Sequence, residues 1–344
     1  MNEEIRKLRA EIDNIDKNII DLLTFRKELS DKIISEKKCN NISVYDRQRE
    51  LEIVDKLKSE FSQNINPQLI EGVFREILFY SKVDNYRINT NNKLFEVLNS
   101  EPFIIAGPCT IESEEQLCNI ANHLSKSGIK LLRGGAFKPR TSPFSFQGME
   151  DEGLALMKKI ADKYSMYTVS EFTDSRQLNE LYDLVDVIQI GSRNMFSYGF
   201  LKQIGQRTAQ DKKPVLLKRG FQSTVNEFLL SAQYIINEGN PNVILCLRGI
   251  RTFEQIDSDL RNTPDLATIL ELKEKTNLKI VFDPSHACGR SKYVVKTSIA
   301  ALELGADGLI IETHNKPEEA LSDGKQSIKP IELERIIDYI NKYF

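Results

Sequence analysis

The runs FIIAGP (103–108) and IKLLRGG (129–135) begin a series of eight short apolar segments, and this series decides the fold of most of the chain. The later members are YTVSEF (167–172), VDVIQIG (185–191), PVLLKRG (214–220), VILCLRG (243–249), LKIVFDPS (278–285) and DGLIIETH (307–314). An amphipathic helical stretch follows each segment, which indicates alternating strands and helices. Eight such units within residues 102–344 match the count and size of a (β/α)8 TIM barrel, so we predict an α/β fold of that type. The alternative, a doubly wound sheet, lacks a Gly-x-Gly-x-x-Gly turn after its first strand.

Before residue 100 the pattern is helical, and no strand is predicted there. Further helices are predicted at about 46–61 and 67–86, after one long helix at the start of the chain. That first helix has an apolar seam, with steps of three and four between Ile5, Leu8, Ile12, Ile15, Ile19, Leu22, Leu29 and Ile33. A small unit with one helix this long cannot bury the seam alone, which predicts a homodimer through the helices. We expect a tetramer as the larger assembly. We therefore divide the chain into an all-α three-helix domain at 1–90, a linker at 91–101 and a barrel at 102–344.

One position of the seam, Arg26, is charged instead of apolar. It could be an arginine whose head group reaches solvent from the end of a helix. It lies deep in the run, however, and a buried guanidinium needs an anionic partner. A ligand carboxylate is therefore the second interpretation of Arg26.

The composition excludes several classes of protein. Among the 344 residues, 40% are hydrophobic and 28% charged, and the net charge of −3 gives no reason to expect nucleic acid or an anionic membrane as a partner. No apolar run approaches the ~18 residues of a membrane span. The charged N-terminus resembles no secretory signal, and the five scattered cysteines have no disulfide spacing. We expect a cytoplasmic protein in which a special cysteine is a ligand or a nucleophile.

Charged and polar side chains stand at the end of nearly every predicted strand, and these ends converge on one face of a barrel. One group contains a sulfur, an imidazole and two carboxylates, from Cys109, His286, Glu312 and Asp323. Such a mixed set suits a first-row divalent metal better than Mg²⁺ or Ca²⁺, although Cys109 alone could be a small buried hydrophobe. The other group is cationic and fits anionic ligands that carry phosphate and carboxylate: Arg133, Lys138, Arg140, Arg193, Lys218 and Arg248.

The barrel part resembles the 3-deoxy-D-arabino-heptulosonate 7-phosphate (DAHP) synthases, in the compact subtype that is related to the sugar-acid 8-phosphate synthases. The matching motifs, in the family's order, are GPCT (107–110), LRGGAFKPRTSPFSFQG (132–148), LKRG (217–220), RGIRT (248–252), DPSH (283–286) and ALSDGKQS (320–327). The resemblance implies condensation of phosphoenolpyruvate with erythrose 4-phosphate, the first step of the shikimate pathway. Two departures are visible: Leu247 replaces an acid before Arg248, and Ser192 replaces an alanine.

The same resemblance assigns roles to individual residues. It implies that the metal is Mn²⁺, with Co²⁺, Fe²⁺ or Zn²⁺ as alternatives, and that its ligands are Cys109, His286, Glu312 and Asp323. Phosphoenolpyruvate would be held by Arg133, Lys138, Ser192 through its backbone, Arg193, Lys218 and Arg248. Erythrose 4-phosphate would be held by Lys138, Pro139, Arg140 and Thr141, a stretch that differs in the eight-carbon synthases. The implied catalytic residues are Lys138, as proton donor, with His286 and Cys109.

The N-terminal part resembles the small helical chorismate mutases. The matching stretches are LR (8–9), IDNID (12–16), LLTFR (22–26), Lys37 and YDRQRE (45–50). The family's functional positions fall on Arg9, Arg26, Lys37, Asp46, Arg49, Glu50, Ser81 and Asn85. Lys37 follows Arg26 by three turns on one helix face, whereas Arg9 lies ~100° away and would serve the pocket of a partner chain. Asn85 replaces a longer glutamine, so we expect this pocket to bind chorismate or prephenate better than it catalyses.

Two further interpretations of the sequence remain open. The barrel could use another phosphorylated aldose, and the helices could be a purely structural dimerisation module. Charged residues at Arg9, Arg26, Lys37 and Arg49 argue against the second reading, because an assembly seam would be apolar there. If the pocket binds prephenate, the fusion predicts feedback inhibition of the barrel by that compound.

Overall fold

The computed structural model describes residues 3–39, 47–83, 93–100, 102–138, 146–253, 259–260 and 262–344. The chain divides into two compact units, Met1–Asn89 and Thr90–Phe344. No described helix is both long enough and apolar enough to cross a lipid bilayer.

The first unit consists, in its described residues, of α1 (Glu3–Cys39), α2 (Arg47–Phe61) and α3 (Pro67–Val83). Helix α3 begins at a proline, whose missing N–H costs nothing in a first turn, and Asn66 Oδ1 accepts a hydrogen bond from the Gln68 N–H at 2.8 Å. An ion pair of 2.9 Å between Lys58 and Glu71 joins α2 to α3. The helical fold predicted for this part is confirmed.

The predicted apolar seam of α1 is exposed along its whole length within one chain. Every one of its eight members has an exposed fraction between 44% and 67%: Ile5, Leu8, Ile12, Ile15, Ile19, Leu22, Leu29 and Ile33. Arg26, on the same seam, is half-buried. An exposed apolar stripe of this length on a soluble helix is typical of an interaction surface.

The second unit is a closed barrel of eight parallel strands in sequential order, with β1 paired to both β2 and β8. Its strands are β1 (Phe103–Gly107), β2 (Leu131–Arg133), β3 (Tyr167–Phe172), β4 (Val187–Ile190), β5 (Val215–Lys218), β6 (Val243–Leu247), β7 (Lys279–Phe282) and β8 (Gly308–Glu312). Helices cover the parallel strands on the outside, so the strands are mostly apolar, and charged residues such as Arg133, Lys218 and Glu312 stand at their carboxyl ends. The predicted TIM barrel is confirmed.

Helices follow the strands around the barrel. Their bounds are α5 (Glu114–Lys126), α6 (Glu150–Lys163), α7 (Gln177–Glu180), α8 (Tyr198–Thr208), α9 (Val225–Ile236), α10 (Ala267–Lys275), α11 (Pro284–Cys288), α12 (Ser291–Glu303) and α13 (Pro330–Tyr343). Ser113 caps α5, and Thr224 with Glu227 forms a capping box on α9. Short 3₁₀ turns lie at Tyr182–Leu184, Ser192–Asn194, Pro317–Glu319 and Gly324–Gln326.

Within the predicted linker at 91–101 the structure has a helix, α4 (Lys93–Asn99). Leu94, Phe95 and Leu98 of α4 are buried, and the helix packs beside β1. Residues 93–99 therefore belong to the core of the second unit, because three apolar side chains at helical spacing outweigh the loop tendency of the neighbouring asparagines. The domain boundaries proposed from the sequence remain a prediction.

Gly107, the last residue of β1, has φ +153° and allows the first two strands to approach closely. A Cβ atom at this position would lie 2.0 Å from the backbone oxygen of Arg133. Glycine is therefore required here, and it lets the ends of β1 and β2 bring Cys109 and Arg133 to the same point on the barrel mouth.

Candidate active site

Three potential metal ligands meet at the carboxyl end of the barrel. The ligand atoms of Cys109, Glu312 and Asp323 all lie within 4.8 Å of one another. Cys109 follows β1, Glu312 ends β8, and Asp323 adopts the left-handed conformation (φ 54°) before a 3₁₀ turn. The Cys109 Sγ lies 3.1 Å from the Asp323 Oδ2 and 3.3 Å from the Ser322 hydroxyl. Residues separated by more than 200 positions thus form one small cluster of sulfur and oxygen donors.

His286, the fourth predicted ligand, is oriented towards this cluster by Asp283. Asp283 caps α11 by accepting the His286 backbone N–H at 2.9 Å, and its Oδ2 lies 2.8 Å from the His286 Nδ1. The Asp283 carboxylate accepts a hydrogen bond from the Nδ1–H, so the neutral imidazole that binds a metal would present its lone pair at Nε2. That Nε2 lies 3.5 Å from the Glu312 Oε1. A carboxylate behind a histidine is the usual support for a metal-ligating imidazole.

The ionisation of the cluster fits a bound cation. Burial raises the pKa of the Cys109 thiol to about 12, and the negative charge of Glu312 acts in the same direction. Burial by itself would raise the pKa of Glu312, but the charges of His286 and Arg133 outweigh it and lower this pKa to about 2. A carboxylate is thus present, whereas a thiolate ligand at Cys109 requires an added positive charge. The donor set of sulfur, nitrogen and oxygen fits a first-row divalent metal.

Glu312 is completely buried and is held from three sides. Arg133 donates to its Oε1 at 2.8 Å, Gln326 donates to its Oε2 at 2.6 Å, and its backbone N–H donates to the Ser285 hydroxyl at 2.9 Å. Reasoning from the sequence missed Asp283, Ser285 and Gln326. All three lie inside the motifs DPSH and ALSDGKQS, which place them near the site but do not indicate what their side chains contact.

Cationic side chains surround the metal cluster. Lys138 donates to the Cys109 Sγ at 3.1 Å and also to the Cys109 backbone oxygen. Lys218 pairs with Asp283 at 2.5 Å, and both side chains are buried. The Nε of Arg133 is buried without a hydrogen-bond partner. Arg133 and Lys218 are each paired with a buried carboxylate, and the N–H groups that remain on these side chains can donate to an anionic substrate.

The other predicted substrate residues that the structure describes lie at the same end of the barrel. Arg248 follows β6 and is buried, whereas Ser192 and Arg193 belong to the 3₁₀ turn after β4, where Arg193 is exposed. Leu247, which replaces an acid, is buried at 1% exposure within β6. The predicted stretch Pro139, Arg140 and Thr141 lies outside the described residues.

In the helical unit, the structure brings Arg26 and Ser81 together. The Arg26 guanidinium donates to the Ser81 hydroxyl at 2.5 Å, and this hydroxyl donates to the Ile77 backbone oxygen. Partial burial lowers the pKa of Arg26. Arg9 is exposed on α1 and Lys37 half-buried on it, while α2 carries Arg49, exposed, and Glu50, half-buried. Asp46 and Asn85 lie outside the described residues.

Comparisons with known proteins agree with this architecture. A sequence model of the DAHP synthetase I family matches residues 85–343, and a model of chorismate mutase type II matches residues 8–83. A phospho-2-dehydro-3-deoxyheptonate aldolase from Thermotoga maritima is 50% identical over 225 residues, which cover 65% of this chain and 64% of the relative. The chain thus spans less than two thirds of that relative. A 2-dehydro-3-deoxyphosphooctonate aldolase from Francisella philomiragia is 29% identical over 72% of this chain and 94% of its own length.

Solved structures give the same result. The crystal structure of the phospho-2-dehydro-3-deoxyheptonate aldolase (DAHP synthase) from Thermotoga maritima has a TM-score of 0.67 at 47% identity, over 71% of this chain and 69% of that one. A truncated form of the 3-deoxy-D-arabino-heptulosonate 7-phosphate synthase from the same organism has a TM-score of 0.64 at 44% identity, over 71% of this chain and 87% of that one. With a family match that covers most of its length and a barrel of the same architecture, the chain belongs to the DAHP synthetase I family and carries a chorismate mutase type II domain before the barrel.

Proposed function

We propose that the barrel unit condenses phosphoenolpyruvate with erythrose 4-phosphate to give 3-deoxy-D-arabino-heptulosonate 7-phosphate and phosphate. The observation that carries this proposal is the cluster of Cys109, Glu312 and Asp323 beside buried arginine and lysine side chains. Membership of the DAHP synthetase I family supports the choice of reaction.

The metal would be held by Cys109, His286, Glu312 and Asp323, with Mn²⁺ as the preferred ion and Co²⁺, Fe²⁺ or Zn²⁺ as alternatives. A divalent ion in this place supplies Lewis acidity towards the aldehyde oxygen of the sugar phosphate. Asp283 keeps His286 in the tautomer that a ligand needs, and Arg133 and Gln326 fix the two oxygens of Glu312. These contacts pre-organise the ligands before any ion arrives.

The cationic side chains would bind the two substrates and hold them in place. Arg133, Lys218 and Arg248, with Arg193 and the backbone of Ser192, would bind phosphoenolpyruvate. The stretch Lys138 to Thr141 would bind erythrose 4-phosphate. A new bond joins the enol carbon of phosphoenolpyruvate to the aldehyde carbon, water adds to the carbon that carries the phosphate, and phosphate leaves. Lys138, already at the metal cluster, would donate the proton that the aldehyde oxygen needs.

We also propose that the helical unit binds chorismate and prephenate and has weak mutase activity. The pairing of Arg26 with Ser81 supports this, because two of the expected pocket residues meet although they are far apart in sequence. The exposed seam of α1 supports a dimer in which Arg9 of one protomer serves its partner's pocket.

One assay tests the barrel reaction. The metal-loaded full chain is supplied with phosphoenolpyruvate and either erythrose 4-phosphate or arabinose 5-phosphate, and the loss of phosphoenolpyruvate is followed. We expect turnover with the four-carbon sugar only. Turnover with arabinose 5-phosphate alone would instead establish the alternative, a synthase for another phosphorylated aldose.

A second assay tests the helical unit. Prephenate or chorismate is added to the full chain and to Arg26→Ala, and the melting temperature is measured. We expect a rise in the wild type only, since a ligand stabilises the state that it binds. Asn85→Gln should raise mutase activity. No response in the wild type would favour helices that serve dimerisation alone.

A further inference from the structure

Three arginine side chains surround one aromatic ring at the barrel mouth. The guanidinium carbons of Arg248, Arg251 and Arg193 lie 4.7, 4.9 and 5.7 Å from the ring centre of Phe221. All three distances fall within the range of cation–π attraction. No other ring in the described part of the chain faces more than two cations, a number that Tyr182 reaches.

The three arginines lie in the segments that follow two different strands. Phe221 follows β5, Arg193 lies in the 3₁₀ turn after β4, and Arg248 and Arg251 follow β6. The backbone fixes the ring in this position, because the Arg251 N–H donates to the Phe221 oxygen at 2.7 Å and the Arg219 N–H donates to the Cys246 oxygen at 2.9 Å. Phe221 is thus tied to the segment that carries two of the three cations.

Two of the arginines, Arg193 and Arg251, have their side-chain interaction with the Phe221 ring. Arg193 and Arg251 are exposed, and within the described residues their guanidinium groups make no hydrogen bond or ion pair. A free arginine side chain samples many rotamers, and ordering it costs conformational entropy when a ligand binds. A ring that restricts both side chains beforehand removes part of that cost.

Three like charges around one ring repel one another, and an anion between them relieves this repulsion. Guanidinium groups bind phosphate oxygens in a bidentate manner. The positive charge of the three arginines, the bidentate binding of guanidinium groups and the position of the ring at the barrel mouth all favour a phosphate group as the ligand.

We propose that Phe221 is a positioning residue that aligns Arg193, Arg248 and Arg251 as one receptor for the phosphate of phosphoenolpyruvate. Arg251 is thereby a third phosphate-binding arginine beside the two that the motifs indicate. The identity of the ligand rests on the proposed function of the barrel, whereas the affinity of the receptor for phosphate does not.

Kinetics with ring-removing and ring-keeping variants test the proposal. Phe221→Leu should raise the KM for phosphoenolpyruvate about 3- to 10-fold, the range that one or two lost cation–π contacts correspond to. The KM for erythrose 4-phosphate and kcat should change less than 2-fold, about the error of such assays. Phe221→Tyr keeps the ring and should stay close to the wild type. Phe344→Leu, an exposed phenylalanine at the C-terminus, is the matched control and should change nothing.

A double mutant separates positioning from a general structural effect. If Phe221 acts through the arginines, Arg251→Gln should weaken phosphoenolpyruvate binding in the wild type but much less in the Phe221→Leu background. Additive effects, an unchanged KM in Phe221→Leu, or equal rises in both KM values with a lowered melting temperature would each overturn the proposal.

Direct binding keeps this test independent of the reaction. Inorganic phosphate is titrated calorimetrically into the wild type, Phe221→Leu and Phe221→Tyr. We expect weaker binding in the leucine variant only. If the wild type shows no synthase activity but this order of affinities holds, the proposed function fails and the receptor stands. If synthase activity is normal but the three proteins bind phosphate equally, the proposed phosphate receptor is wrong and the proposed synthase function is unaffected.

Discussion

The side chain of Cys109 is nearly fully buried, and its chemistry depends on what surrounds its sulfur atom. Burial raises the pKa of this thiol and the two neighbouring carboxylates act in the same direction, so the protonated thiol is the stable form until a cation arrives. Lys138 contacts the same sulfur at 3.1 Å and links the proposed metal ligands to the proposed substrate residues. One cysteine thus joins the two groups of residues that the sequence had separated by chemistry.

We expect removal of the metal or of the Cys109 sulfur to abolish condensation without unfolding the barrel. Chelation should stop the loss of phosphoenolpyruvate, and added Mn²⁺ or Co²⁺ should restore it. Cys109→Ser should lose most activity because a hydroxyl is a poorer ligand for such ions than a thiolate. Cys118→Ser, a half-buried cysteine of α5, is the control and should retain activity. Full activity of the chelated enzyme would rule out the metal.

Asp283 has a second role, in stability. It is completely buried and interacts with Lys218 and with both the backbone and the ring of His286. Although burial opposes its ionisation, the charges of His286 and Lys218 hold its pKa well below the usual range. Asp283→Ala would leave the Lys218 ammonium buried without its carboxylate.

We therefore expect Asp283→Ala to lower the free energy of unfolding by about 3–5 kcal/mol, the cost of breaking a buried ion pair from one side. Urea titration of the full chain, followed by the fluorescence of its tyrosines, measures this change. The control is Glu114→Gln, which breaks an exposed ion pair with Lys159 and should leave the unfolding midpoint unchanged. Equal midpoints for the wild type and Asp283→Ala would show that Lys218 finds another partner.

At the scale of elements, the strands were predictable because parallel strands covered on both faces are continuous apolar runs. The barrel order followed from their number and from the helices between them. Helix α4 was missed, since asparagine-rich sequence around it favoured a loop, whereas Leu94, Phe95 and Leu98 are buried against the barrel unit. The supports of Glu312 were also missed. Gln326 and Ser285 contact Glu312 only through the fold, and no local pattern indicates such a contact.

Helix α1 carries the clearest element-scale prediction. Its seam residues are exposed in the single chain, and a second copy of the same helix is the self-complementary partner that a two-fold dimer offers. Ile15→Asp should therefore dissociate the dimer, because a carboxylate would have to be buried without a partner. Asn14→Asp adds the same charge to an exposed neighbour off the seam and should leave the dimer intact. Sedimentation velocity distinguishes the two; a dimeric Ile15→Asp protein would place the interface elsewhere.

At the scale of the whole molecule, one chain joins two units that each gather cations for anionic ligands. The barrel unit carries Arg133, Lys138 and Lys218 around its candidate metal ligands, and the helical unit carries Arg26 against Ser81. If the proposed functions hold, the barrel catalyses the first step of the shikimate pathway and the helical unit binds compounds that form later in that pathway. The fusion would allow chorismate or prephenate, bound to the helical unit, to change the rate of the condensation in the barrel.

We expect prephenate to inhibit the synthase through the helical unit. Inhibition requires that prephenate favour an inactive arrangement by differential affinity, and allosteric coupling is typically about 1–3 kcal/mol, or roughly 5- to 150-fold in apparent affinity. The rate of phosphoenolpyruvate loss in the full chain should therefore fall as prephenate is added.

Arg26→Ala should stay active and become insensitive to prephenate, because the partly buried guanidinium that would bind a prephenate carboxylate is gone. Lys7→Ala, an exposed cation of the same helix, is the control and should remain sensitive. Deletion of residues 1–90 should likewise give an active, insensitive barrel, and a truncated enzyme that prephenate still inhibits would place the regulatory site on the barrel itself.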